Sequence, residues 1–107
     1  MATHDLYGFI SDDLDGIADR LSTILNIKWT PHESSFRGGA YYRSGTLGHE
    51  EYILQRNLEL DDELAEPDFR DIPVLLYVGW TEHSEALTTL LLTEMEGQVT
   101  LLHHEAL

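Results

Sequence analysis

Apolar residues recur at helical spacing in two parts of the chain. Residues 11–26 follow the i, i+3, i+4, i+7 pattern of an amphipathic helix, with Ser11 suited to the N-cap and Asn26 suited to the end. Residues 83–95 predict a second helix, which begins at an N-cap Ser84 and is closed by Gly97. Its inward positions are predicted to be Leu87, Leu90, Leu91 and Met95.

Five further segments have the composition or the alternation of β-strands. They are residues 27–31, 36–43, 50–58, 72–78 and 98–103. In the third of these, Tyr52 and Leu54 alternate with a more polar set, which predicts one wetter face of the sheet. The fourth is almost continuously apolar, which predicts a central strand ending near Gly79. The pair Gly38-Gly39 indicates a bulge or a close backbone approach.

Residues 32–35 and 44–48 are polar or glycine-containing and predict a turn and a loop. The order of elements is therefore α-β-β-β-β-α-β, with short turns between most strands. Short turns favour antiparallel pairing. We expect an α+β fold, in which an antiparallel sheet of about five strands carries two amphipathic helices on one face. The 107 residues allow a single domain, 1–107.

Charge is the bulk property that most restricts function. The chain holds 20 acidic and 6 basic side chains, so its formal net charge is -14. Nucleic-acid binders neutralise phosphates with Lys and Arg, and anionic membranes attract the same residues, so neither is an expected partner. The sequence has no Cys and no long apolar run, and its first residues do not predict a secretory signal. We expect a soluble, cytoplasmic protein, a monomer or weak dimer, whose partner is a basic protein.

The strongest local feature is the run of residues 59–71, called the acidic segment below. It carries seven acids and one arginine, a formal charge of -6. One interpretation is a solvated connection between strands. The other is a docking patch that attracts a basic cleft and speeds association by electrostatic steering. Predicted partner-binding residues are these acids and one strand tyrosine as an aromatic anchor: Glu59, Asp61, Asp62, Glu63, Glu66, Asp68, Asp71 and Tyr42.

Chemical motifs are weak in this sequence. The neighbours His103 and His104 would face opposite sides of a strand, which does not suit chelation of one ion. No phosphate-binding loop, calcium loop or nucleophile elbow is present. We therefore predict no metal, no cofactor and no enzymatic activity. Were the chain an enzyme, a pocket would be expected to include Trp29, His49, Glu51 and Tyr52.

Three stretches carry a resemblance to a known family. They are HESSFRGGAYYRSG (32–45), EEYILQRNLELDDEL (50–64) and EPDFRDIPVLLYV (66–78), which follow the ADRLSTILNI helix. Over roughly residues 14–80, the chain resembles the immunity proteins of bacterial contact-dependent growth inhibition and related polymorphic toxin systems.

The resemblance implies a small cytoplasmic antitoxin. Such a protein would bind the C-terminal toxin domain of a large exported protein and block its active site or its access to substrate. The resemblance also implies that the toxin is a nuclease, because the toxins of such systems are often DNases or RNases, including RNases that cleave tRNA. The alternative interpretation is a small acidic secretion chaperone that holds an effector segment, for which an exposed apolar groove or dimer face would be the sign.

Overall fold

In the part of the chain that the structure describes, six strands form one antiparallel sheet. The structure is a computed structural model and describes residues 2–45 and 49–106. The strands are β1 (Thr3–Phe9), β2 (Thr30–Ser34), β3 (Gly39–Gly45), β4 (Glu51–Arg56), β5 (Val74–Thr81) and β6 (Val99–Ala106). Their order across the sheet is β2-β3-β4-β5-β1-β6, and all neighbours are antiparallel.

Two helices, α1 (Leu14–Leu25) and α2 (Ser84–Glu94), cover one face of this sheet. Leu14, Ile17 and Leu21 of α1 and Leu87 and Leu91 of α2 are buried against the strands. The α+β prediction is confirmed, with one strand more than the sequence pattern indicated. Among the described residues, no helix has both the length and the apolar character needed to cross a membrane.

The strand that the sequence pattern missed is β1. Its residues are buried toward both faces of the sheet, since Tyr7 and Phe9 enter the helix-side core and Leu6 is buried on the opposite side. A strand buried on both faces lacks the apolar–polar alternation that marks a half-exposed strand. Because β1 lies between β5 and β6, it links the last strand of the chain to the rest of the sheet.

Several predicted boundaries are shifted. Helix α1 is capped by Asp13, whose Oδ1 accepts a hydrogen bond from the Gly16 amide, and not by Ser11. Asn26 ends α1 in the left-handed region, as predicted. The predicted turn at 32–35 belongs mostly to β2. This strand begins at Thr30, three residues later than the start of the strand predicted at 27–31.

The later elements also differ in detail. Strand β5 does not end at Gly79 but continues to Thr81. The N-cap of α2 is His83, and Leu90 is exposed instead of inward. Of the predicted loop at 44–48, Ser44 and Gly45 are the last residues of β3, and 46–48 lie outside the described residues.

The predicted wetter face of β4 is found only in part: Ile53 is half-buried between buried Tyr52 and Leu54, whereas the polar residues that follow are buried. Gln55 and Asn57 are each only 3% exposed. Asn57 is buried because the connection between β4 and β5 folds back over it and is hydrogen-bonded to it, whereas Gln55 is hydrogen-bonded to Arg37 on the face of the sheet that the helices leave uncovered. Ile72 at the end of this connection lies over β1, where a Cβ placed on Gly8 would come within 2.7 Å of its Cγ2. The acidic segment is thus part of the packed structure.

Burial of three tyrosines predicts alkaline unfolding. Burial raises the pKa of Tyr7, and burial together with a neighbouring glutamate raises the pKa of Tyr52 and of Tyr77 well above the ordinary value of 10.0. Below pH 10 these tyrosines are protonated in both the folded and the unfolded chain, so they do not change the free energy of unfolding. Above it, only the unfolded chain releases protons, so the free energy of unfolding falls by up to about 1.4 kcal/mol per pH unit for each tyrosine.

Denaturant unfolding at about pH 9, 10 and 11 checks this expectation. The chain has one lysine, Lys28, so lysine deprotonation contributes little over the same range. In a Tyr52→Phe variant the free energy of unfolding should fall less steeply with pH, because one tyrosine fewer releases a proton on unfolding. A free energy of unfolding that stays level from about pH 9 to 11 would contradict the assignment of these tyrosines as buried and protonated.

Candidate functional site

The acidic segment forms two short 3-10 turns, Leu60–Asp62 and Pro67–Phe69, between β4 and β5. The segment therefore connects two strands and contains no helix longer than three residues. Asp61 and Asp62 both have left-handed backbone, with φ of 59°. Aspartate tolerates this region better than most residues, because its short polar side chain can hydrogen-bond locally. The turn Leu60–Asp62 therefore has, at its two left-handed positions, residues that tolerate this backbone conformation.

One buried side chain, Asn57, holds the acidic segment in place. Its Nδ2 donates to the carbonyl oxygens of Phe69 and Ile72, each at 3.0 Å, and to that of Glu66 at 3.4 Å. Its Oδ1 accepts from the Glu66 amide at 2.8 Å. Asn57 thereby replaces the backbone pairing that an irregular segment lacks, and fixes three points of the connection to the end of β4.

Two additional contacts fix the segment. The Glu59 amide donates to the Glu63 carbonyl at 2.8 Å, which closes the first turn. The Tyr77 hydroxyl of β5 donates to Oε1 of Glu66 at 3.1 Å, which ties the second turn to the sheet. Glu66 is therefore half-buried and engaged within the molecule.

The other six acids of the segment are exposed: Glu59, Asp61, Asp62, Glu63, Asp68 and Asp71. Among the described residues, none of the segment's acids forms an ion pair with a basic side chain. Arg70, the one basic residue within the segment, is itself exposed. The result is a concentrated, unneutralised negative surface on a backbone that is fixed by hydrogen bonds.

A shallow groove runs beside this surface on the helix-free face of the sheet. Its volume is about 430 Å³, and its walls and floor are formed by residues of β4, β5 and the flanking turns: Phe36, Arg37, Ile53, Gln55, Glu59, Ala65 and Tyr77. Phe36 is 69% exposed, which is unusual for a phenylalanine and leaves its ring available at the groove wall. Arg37 is held within the groove by a 2.9 Å bond to Oε1 of Gln55.

Gly38 brings Phe36 and Arg37 against the connection. It has φ of 74° and lies so close to Leu58 that an added Cβ would be 2.7 Å from the Leu58 Cβ. The predicted close backbone approach is confirmed here, although Gly38 lies just before β3 instead of inside a strand. Only glycine combines this left-handed backbone with such a contact.

Tyr42, the predicted aromatic anchor, lies on the other face of the sheet. Its ring packs beside Trp29, with ring centroids 6.2 Å apart, and its hydroxyl donates to Asp15 of α1. This hydrogen bond, with a smaller contribution from burial, raises the pKa of Tyr42. The structure therefore does not bring Tyr42 to the acidic segment, whereas Phe36, to which no sequence pattern points, lies beside it.

The four residues considered for an enzyme pocket are not brought together. Trp29 and Tyr52 pack edge to face on the helix side, with ring centroids 6.5 Å apart. Glu51 lies on the opposite face, 3.3 Å from Arg43. His49 is exposed near the ends of β4 and β5.

A Ser-His-Asp cluster that the sequence pattern did not reveal joins β1, β6 and α2. Nδ1 of His104 lies 2.5 Å from Oδ1 of Asp5 and 3.2 Å from Oγ of Ser84, and the Ser84 hydroxyl donates to Oδ2 of Asp5 at 2.6 Å. In a nucleophilic triad the carboxylate and the serine use different imidazole nitrogens. Here both lie against the same nitrogen, so the cluster fastens buried Asp5 and does not activate Ser84.

Metal-ligating side chains do not converge in residues 2–45 and 49–106: no three His, Asp or Glu side chains there are placed to hold one ion. His103 and His104 pair with consecutive residues of β1, Leu6 and Asp5, and so occupy opposite faces of the sheet.

Comparison with known proteins gives no matching family model and no matching curated protein.

Proposed function

We propose that this chain is a bacterial immunity protein that binds a cognate toxin domain and neutralises it. The toxin would be a basic nuclease, such as a tRNA-cleaving RNase, forming the C-terminal domain of a large exported protein. The observation that carries the proposal is the acidic segment: six of its acids are exposed, none of its acids forms an ion pair within the described part of the chain, and Asn57 holds its backbone in shape. The family resemblance over residues 14–80 points to the same class of protein.

Charge complementarity supports a nuclease as the partner. An active site that binds a polyanionic substrate is lined with basic groups, so carboxylates carried on one connection can occupy the positions of phosphates. Long-range attraction between such surfaces accelerates encounter, and a backbone already held by hydrogen bonds loses little conformational freedom on binding. Phe36 supplies an exposed aromatic ring next to the charges, where it can anchor the contact after encounter.

In this proposal the protein performs no reaction of its own and acts in the cytoplasm, as a monomer or weak dimer. It prevents cleavage by covering the active site of the toxin. The acidic residues contribute most to the rate of association and to partner choice, whereas Phe36 and the groove contribute to the lifetime of the complex.

The proposal is tested with the toxin domain encoded next to this chain. We expect a one-to-one complex of the two purified proteins, loss of nuclease activity at equal concentrations, and growth of cells that co-express both. A Phe36→Ala variant should form the complex with a faster dissociation rate. If the chain ignores the folded domain and binds only an unfolded segment of the exported protein, the secretion-chaperone alternative is correct.

A further inference from the structure

A second exposed aromatic, Trp80, lies at the end of β5 opposite the acidic segment. Opposite β1, the register of β5 is interrupted there: Thr3 pairs with Thr81 and Asp5 pairs with Val78. One residue of β1 is therefore opposed by two of β5, which is the definition of a β-bulge. Trp80 is one of the two, and it also lies beyond the last pair of β5 with β4.

The backbone of Trp80 is in a region that large residues avoid. Its φ is 56°, where the Cβ of an L-residue crowds the following carbonyl and where glycine, asparagine or aspartate is usual. Bulges of this kind redirect a side chain, and strained residues of this kind occur preferentially at functional positions. The surrounding structure thus holds Trp80 in an unfavourable backbone conformation, which places its indole at this point.

The indole is positioned but not covered. Its ring meets His4 edge to face, with centroids 5.1 Å apart, and 42% of its surface remains exposed with that contact in place. It borders a hollow of about 400 Å³ whose other described lining residues are Ala2, His49, Glu50, Glu82 and His83. This lining contains two carboxylates and neither lysine nor arginine.

One of these carboxylates is held in a fixed position. Oε1 of Glu50 accepts hydrogen bonds from the Tyr52 hydroxyl at 2.9 Å and from the buried Thr81 hydroxyl at 3.0 Å. Glu82, which follows Thr81, is exposed and also lines the hollow. An indole that shares a hollow with two carboxylates suits a guanidinium group, which stacks on a ring and pairs with carboxylates at its edge.

We propose that Trp80, Glu50 and Glu82 form a docking site for an arginine side chain presented by a protein partner. This site is at the far end of β5 from the acidic segment and is separate from the surface proposed above for the toxin. Its existence does not depend on that proposal. The left-handed backbone of Trp80 sets the direction of its side chain and so orients the ring toward the incoming guanidinium.

The probes are three blocked tripeptides in which arginine, lysine or citrulline stands between two glycines. Nuclear magnetic resonance of the indole N–H groups reports binding, because the chain has two tryptophans. Trp29, whose Nε1 donates to the Ala18 carbonyl at 2.8 Å, serves as the internal control. Of the two indole signals, we expect a saturable shift of Trp80 alone, and the amides of Glu82 and His83 should shift with it. The arginine peptide should bind about two- to fivefold more tightly than the neutral citrulline peptide.

Three variants sharpen the test. Glu82→Gln should weaken binding of the arginine peptide, and Asp61→Asn with Asp62→Asn should leave it unchanged, which separates this site from the acidic segment. Trp80→Gly should abolish the response of the Glu82 and His83 amides without lowering the denaturant midpoint, because glycine relieves the strained backbone.

Equal binding of arginine and citrulline peptides would overturn the proposal. So would equal shifts of Trp29 and Trp80, or a Trp80 signal that moves with protein concentration in the absence of peptide, which would assign this face to a second copy of the chain. A Trp80→Gly variant that unfolds at much lower denaturant, together with an unresponsive Trp80 in the wild type, would make Trp80 a structural residue.

Discussion

Replacing Asn57 by alanine should lower the free energy of unfolding by about 3 kcal/mol. The side chain makes hydrogen bonds to the backbone of Glu66, Phe69 and Ile72, and it is only 3% exposed. Each such bond contributes about 1 kcal/mol, and a buried carbonyl that loses its donor costs about 1–3 kcal/mol. Alanine removes every one of these contacts and leaves a cavity in their place.

The same substitution should release the acidic segment from the sheet. Amides of Glu66, Phe69 and Ile72 are expected to exchange with solvent faster in Asn57→Ala than in the wild type. The Glu66 amide loses its acceptor, the Asn57 Oδ1, and the amides of Phe69 and Ile72 keep only their hydrogen bonds within local turns. Unfolding in urea and hydrogen exchange measure the two effects. Gln98→Ala removes an exposed amide and is the control, with an expected change below about 0.5 kcal/mol. A change of that small size at Asn57 would mean that the segment is held by other contacts.

The residues that define the fold class are visible in the sequence, because they follow local periodicity. Leu14, Ile17 and Leu21 repeat at helical spacing, and the apolar run from Val74 to Val78 is continuous, so their elements are predictable from neighbours alone. Strand β1 has no such pattern. Its burial on both faces depends on β5, β6 and the β4–β5 connection, all of which lie far away in the sequence.

The candidate site shows the same division. The sequence identifies the acidic segment by composition, yet the residue that shapes it, Asn57, is a polar position that alternation assigns to a wet face. Its role comes from contacts 9 to 15 residues further along the chain, which no local pattern encodes. Tyr42 was predicted as the anchor because it is aromatic and flanked by charge, whereas the pleat of β3 turns it toward α1.

Removal of three charges from the acidic segment should slow association with the toxin about tenfold at low salt. The variant combines Asp61→Asn, Asp62→Asn and Glu63→Gln. Asparagine is chosen because it tolerates the left-handed backbone at positions 61 and 62, so that the charge changes while the turn does not. Lysine at those positions would add backbone strain, and an effect on binding could then come from distortion.

A matched control removes the same number of charges from the helix layer. Asp19→Asn, Glu94→Gln and Glu96→Gln change exposed side chains of α1, of the last residue of α2 and of the turn that follows it. Net charge is then equal in the two triple variants, and only the location of the change differs. Both variants should unfold at or above the wild-type denaturant midpoint, because self-repulsion decreases in each.

The association rate constant of the toxin with the wild type and with both triple variants, at about 0.02 M and about 0.5 M salt, tests the central claim most directly. We predict that only the acidic-segment variant is slow at low salt, and that the three proteins become similar at high salt, where the charges are screened. Equal rates for the two triple variants at low salt would contradict the claim that residues 59–71 are the surface that meets the toxin.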